Sequence, residues 1–339
     1  MELNTAAPAP AQAREQVPAQ ARAQEVAQRL RDGMARGVLS FPLTSFSGDG
    51  ALDLDAYRAY LAAQLDTGPG ALFPACGTGE FSALDEDEYR QVVTASVEAA
   101  DAAADEATGG RLPVVAGIGY GWAQAVRFAR IAEEAGADAA LVLPHYLLKA
   151  PQDGLVEQVR RVAAGTGLPL IVYQRDQVAF TADSLRRIAE IPTVIGLKDG
   201  HSDLDRLRRL TLAAPDHLLF FNGAATAEIQ ARAYAAVGVP AYSSAVHAFA
   251  PEIANTFFTA FRNGDHATTD RLLRDFYVPL VELRDRVPGY AVSLVKAAAR
   301  LRGRAVGPVR APLTDPGPAD LAVLEQVLDT GLALVGAVR

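Results

Sequence analysis

The sequence predicts an α/β protein: a (β/α)8 TIM barrel with a C-terminal helical extension. Three observations carry that expectation. From Gly37 onward, short apolar runs alternate with helical patterns eight times over roughly 220 residues, the span of one such barrel. The runs are continuously apolar, as strands covered on both faces must be, rather than alternating. No glycine-rich dinucleotide fingerprint follows the first run, which places an open doubly wound sheet second. Gly117-Ile118-Gly119-Tyr120-Gly121 resembles that fingerprint, but it follows the third run and lacks the later glycine.

In chain order, residues 1–18 carry Pro8, Pro10 and Pro18 among Ala, Gln and Arg and read as a disordered tail, followed by a short helix over 19–35. Residues 1–36 are thus set apart as tail and helix, 37–250 as the barrel and 251–339 as C-terminal helices. The expected strands are Val38–Leu43, Ala71–Cys76, Pro113–Gly119, Ala139–His145, Pro169–Gln174, Val194–Lys198, Leu218–Asn222 and Pro240–Ser244. Between them, Val126, Ala129 and Ala132 recur at helical spacing, as do Leu155, Val159 and Val162, and Leu185, Ile188 and Ala189. Thr181 with Asp183, and Ser202 with Asp205, suit helix starts. Gly68, Gly136, Gly167 and Gly238 stand where helices would end. Beyond Phe249 the pattern stays helical, more helix than the eighth barrel unit needs, and suits an extension or a subunit contact.

Composition narrows the function. A net charge of −8 over 339 residues argues against nucleic acid or an anionic membrane as partner. No run approaches the twenty or so apolar residues of a membrane span. Cys76 is the sole cysteine, so no internal disulfide can form, and a reducing, cytoplasmic setting is expected. His145, His201, His217, His247 and His266 are scattered without a metal-binding pair, so no metal is expected. The run Asp85-Glu86-Asp87-Glu88 reads as a solvated first helical turn, where the dipole favours carboxylates.

Lys198 ends the apolar run Val194-Ile195-Gly196-Leu197-Lys198. Facing a cavity, it would lose much of the solvation of its ammonium and become a nucleophile towards carbonyls. Just past the strand end, it would be a surface lysine paired with Asp199. The stretch Val194-Ile195-Gly196-Leu197-Lys198-Asp199-Gly200 alone leaves both readings open. In a barrel of this kind the chemistry gathers at the C-terminal strand ends. Those ends deliver Gly77-Thr78-Gly79-Glu80, Pro144-His145-Tyr146, Tyr173-Gln174-Arg175, Lys198 and Tyr242-Ser243-Ser244. The glycine-flanked Thr78 makes a tight turn whose amides and hydroxyl suit a carboxylate, or it is an ordinary strand-to-helix turn. A tyrosine beside a desolvated lysine can relay protons, or it simply packs.

These stretches in this order resemble the dihydrodipicolinate synthase / N-acetylneuraminate lyase superfamily of Schiff-base barrels, over about residues 37–335. The resemblance implies Lys198 as the Schiff-base lysine and Tyr146 as the proton shuttle. It implies a loop of Thr78 with the amides around Gly77 and Gly79 that grips the carboxylate beside the reacting ketone. Ser40-Phe41-Pro42-Leu43-Thr44, Tyr242-Ser243-Ser244-Ala245-Val246 and Gly289-Tyr290-Ala291-Val292-Ser293 point within the superfamily to dehydration and decarboxylation of a six-carbon keto dicarboxylate. Cys76-Gly77-Thr78 lacks the second threonine common in the superfamily, and Gln174 and His201 also depart from pattern. For the distal carboxylate, Ser243, Ser244 and Arg175 are the candidates. The implied partner is a small sugar acid, with no cofactor and with homotetramer assembly. An aldolase releasing pyruvate, or a non-catalytic sugar-acid sensor, would share the same frame.

Overall fold

The eight apolar runs become eight parallel strands; seven are shorter than expected and lie within their expected spans, while β6 runs one residue further, to Asp199. They are β1 Leu39–Ser40, β2 Ala71–Leu72, β3 Val115–Ile118, β4 Ala139–Val142, β5 Leu170–Gln174, β6 Val194–Asp199, β7 Leu219–Asn222 and β8 Ser243–Ser244. The structure is a computed structural model and describes residues 19–104 and 110–339, so the expected tail over 1–18 lies outside the described residues. Strands β3 to β7 form one ladder in sequence order, and β1 pairs in parallel with both β2 and β8. Parallel bridges Leu72–Val114 and Asn222–Tyr242 join the two ladders. The sheet therefore closes on itself, and the open doubly wound alternative is set aside.

Helices follow the strands in turn: α2 Leu54–Leu65, α3 Glu86–Ala102, α4 Trp122–Glu134, α5 Gln152–Ala163, α6 Ala182–Ala189, α7 Leu204–Ala213, α8 Ala231–Ala236 and α9 Pro251–Arg262. Their starts are fixed by side chains that satisfy otherwise unpaired amides. Asp85 with Glu88, and Thr181 with Ser184, each form a reciprocal capping box. The α7 cap is Asp203, which accepts from the Arg206 amide, rather than Ser202. Ser202 takes a left-handed φ of 61° and donates its amide to Asp199. The acidic turn at α3 is also less solvated than expected, because Glu88 is gripped through both oxygens by Arg310.

The short helix expected after the tail is α1, Ala19–Arg36, and it closes the floor of the barrel. It buries Val26, Leu30 and Met34, and each buried side chain of this size contributes about 1.5–3 kcal/mol. Every anchor lies just before a strand. Arg29 pairs with Asp138 at 2.9 Å and donates to the Arg111 carbonyl, while Arg22 reaches the Ala137 carbonyl. Gly33 and Gly70 make the docking possible, since a Cβ on Gly33 would stand 2.0 Å from the Gly70 oxygen.

The C-terminal helices are α10 His266–Leu272 and α11 Val278–Arg284, joined by a π-turn over Leu273–Tyr277, then α12 Tyr290–Leu301 and α13 Pro318–Leu334. The extension is not confined to the outside. Helix α12 brings Ala291 and Val292 to the barrel mouth.

Candidate active site

At the C-terminal ends of the strands lies a cavity of about 560 Å³, within the range of small-molecule sites. Lys198 is at its base and only 6% exposed. The strand period of two decides its direction: Lys198 faces inward, so its neighbour Asp199 must face outward. Asp199 accepts from Tyr234 Oη at 2.5 Å and from Gln174 Nε2 at 2.6 Å, so it is engaged away from the lysine. That removes the reading of Lys198 as a surface residue paired with Asp199.

Register then builds the lysine's surroundings. Tyr173 on β5 and Phe221 on β7 are the ladder partners of Lys198. Their ring centroids lie 4.5 and 5.8 Å from Nζ, and that of Phe41 lies 3.9 Å away. Aromatic faces favour the cation weakly, whereas loss of water disfavours it strongly. Burial wins, lowering the ammonium from its ordinary 10.5 to about 7; Cys76 opposes this slightly and the Arg175 cation adds to it. The lysine stem also needs Gly223, because a Cβ there would stand 2.3 Å from Lys198 Cε. Cys76 is not a competing nucleophile: burial pushes its thiol up to about 12.

The other expected residues are distributed unevenly. Gly77 and Thr78 line the cavity, and no hydrogen bond engages the amides of Gly77, Thr78 or Gly79 among the described residues. Gly79 itself lies behind the cavity wall, its carbonyl accepting from the Thr44 hydroxyl at 2.7 Å, so it supports the turn rather than facing the cavity. Tyr146 lines the rim from a loop after β4 and is 74% exposed. Arg175 lines the cavity and donates to Tyr173 Oη at 3.2 Å; that tyrosine, whose pKa is raised by burial, donates in turn to the Gly223 carbonyl. Ser243 also lines the cavity, donating to the Asn222 carbonyl.

Ser244 does not belong with them. Its hydroxyl is fully buried and donates to Glu228 Oε1 at 2.5 Å, on the opposite side of β8 from the cavity. Adjacent strand residues point to opposite faces, so Ser243 and Ser244 cannot both reach one ligand. Phe221 and Gly223 were not singled out from sequence, and Phe41, Ala291 and Val292 entered only within stretches that carried the family resemblance, with no site role. The alternation within β7 held a signal for Phe221; for the α12 pair the family-like stretch Gly289-Tyr290-Ala291-Val292-Ser293 was the signal.

Four of the five histidines hydrogen-bond within the fold, although His145 also lines the cavity and its buried Nδ1 has no partner among the described residues. His247 sits between Thr67 and Ser40 with its pKa lowered to about 4 by burial, and His145 bonds the Leu148 carbonyl. No group of three or more potential metal ligands occurs among the described residues. No helix among them is long and apolar enough to cross a membrane.

The sequence carries three lysines, Lys149, Lys198 and Lys296, and Lys198 is the one that lines the cavity.

Comparison with known proteins agrees with this architecture. The model of the dihydrodipicolinate synthetase family matches residues 34–329, so the chain belongs to that family. It is 74% identical to a Streptomyces coelicolor protein named probable 5-dehydro-4-deoxyglucarate dehydratase 2, over 92% of this chain and 94% of the relative. A Streptomyces griseus protein named probable 5-dehydro-4-deoxyglucarate dehydratase is 50% identical over 91% of this chain and 95% of its own. Among solved structures, dihydrodipicolinate synthase from Oceanobacillus iheyensis superposes with a TM-score of 0.78 at 26% identity, covering 90% of this chain and 98% of the other.

Proposed function

We propose that this member of the dihydrodipicolinate synthetase family is a Schiff-base hydro-lyase that converts 5-dehydro-4-deoxy-D-glucarate into 2,5-dioxopentanoate, water and CO2. One observation carries the chemistry. A lysine without a carboxylate partner among the described residues lies in an aromatic cage at the base of a cavity, facing a turn with free amides. Such an amine is neutral often enough near pH 7 to attack a ketone. The substrate follows from the two Streptomyces relatives.

Lys198 condenses with the ketone, water leaves, and the resulting iminium draws electrons from the adjacent CH2. Loss of a proton from that carbon gives an enamine, with Tyr146 as the proton acceptor on the rim. The enamine expels the β-hydroxyl as water and becomes a conjugated iminium. Cleavage of the distal carboxylate as CO2 returns an electron pair to the conjugated system, leaving an enol that tautomerises to the aldehyde. Hydrolysis frees the keto acid and restores the amine. The amides of Gly77 and Thr78, with the Thr78 hydroxyl, hold the carboxylate beside the ketone. Arg175 and Ser243 position the distal end. The same reading carries a cytoplasmic, homotetrameric enzyme.

The test is release of CO2 from 5-dehydro-4-deoxyglucarate, combined with borohydride trapping on the intact protein. Wild type should release CO2 and gain a substrate adduct on the Lys198 peptide, and Lys198→Ala should lose both. Pyruvate instead of CO2 would show an aldolase. An adduct on Lys149 or Lys296, or substrate binding without turnover or adduct, would remove the assignment.

A further inference from the structure

A second buried lysine lies outside the reacting groups. Lys296 on α12 is fully buried, and its Nζ donates to Glu80 Oε1 at 2.7 Å. The second oxygen of Glu80 accepts from the Arg310 amide at 2.9 Å. Nζ also lies 4.1 Å from the Phe46 ring centroid. Lys296 does not line the cavity, so it is no rival to Lys198.

The position of Glu80 gives the pair its meaning. It follows directly on Gly77-Thr78-Gly79 and holds a left-handed φ of 55°, a conformation a non-glycine residue keeps only where its surroundings fix it. Its amide donates to the Gly77 carbonyl, so turning Glu80 would turn the whole Gly77–Gly79 segment. A sealed ion pair is a weak source of net stability, because desolvation offsets most of the attraction. What it supplies is geometry. Val292 and Lys296 stand one helical turn apart on α12, the first in the cavity wall and the second on Glu80.

We propose that the Glu80–Lys296 pair is a positioning device, holding the Gly77–Gly79 turn where its amides and the Thr78 hydroxyl meet the substrate carboxylate and tying that turn to α12. The inference rests on the reading of this turn as the carboxylate grip. Neither residue touches substrate; both act through the turn.

The test uses Glu80→Gln/Lys296→Met, which removes both charges together and strands neither in the interior. Glu80→Gln alone, which keeps an acceptor for the Arg310 amide, serves if the double variant does not fold. Steady-state kinetics and thermal melts are joined by reductive trapping with pyruvate, a 2-keto acid, and with hydroxyacetone, a ketone lacking a carboxylate. Grip on a non-reacting carboxylate is felt alike in ground and transition states, so KM should rise about tenfold or more while kcat stays within about threefold. The pyruvate concentration for half-maximal trapping should rise similarly, with hydroxyacetone trapping unchanged. An unchanged KM in a folded variant overturns the inference, as does equal loss of trapping with both ketones. Absence of any adduct in the wild type would instead remove the Schiff-base reading, and this inference with it.

Discussion

Acidification is expected to disarm Lys198, and the structure sets the scale. With the ammonium lowered to about 7, about half of the amines are free at pH 7, against roughly one in three thousand for an exposed lysine. Moving from pH 7 to pH 5 then reduces the free amine about fiftyfold. Because kcat/KM reports groups of the free enzyme, its logarithm should climb with unit slope and bend near pH 7. Glu228, pushed up to about 7 by burial, titrates over the same range, so kinetics alone do not assign the bend.

Chemical labelling does. Amine acylation at the Lys198 peptide, followed by mass spectrometry across pH, should show a midpoint near 7 in the folded protein. The denatured chain should show the ordinary lysine value of about 10.4. A folded-state midpoint above about 9, or one that denaturation leaves unmoved, would refute the argument that burial frees the nucleophile.

Two substitutions probe the remaining assignments. Tyr146→Phe should slow turnover about a hundredfold, the scale of a lost acid or base, while leaving the melting temperature unchanged because the ring is largely exposed; full activity would move the proton relay elsewhere. Ser244→Ala should leave KM and kcat unchanged and lower stability by about 1–3 kcal/mol in denaturant titration, since Glu228 loses its buried donor. A raised KM with unchanged stability would return Ser244 to the cavity.

Much of this architecture was legible because each segment reports its own solvation. A parallel strand covered on both faces must be apolar along its length, so the eight runs stood out. Lys198 stood out for the same reason: one charge at the end of such a run has to be explained. Helix starts were readable where a cap lies within its own first turn, as at Thr181, and misplaced by one residue at Ser202, where the partner Asp199 lies back in the strand. Every strand length but that of β6 was overestimated, because apolar residues continue into loops after the ladder has ended, as beyond β1.

Side-chain direction was harder. Ser243 and Ser244 are alike in composition and context, and a single step of strand register sends one into the cavity and the other to Glu228. The sequence by itself determined the barrel, its rim and the lysine on which the proposed chemistry turns, since those follow from local periodicity and from a charge placed among apolar neighbours. Only the tertiary structure decided that α1 is the floor, that α12 walls the cavity, and that Lys296 holds Glu80 from 216 residues away. Such contacts arise from barrel closure and helix docking, and no segment carries that information alone.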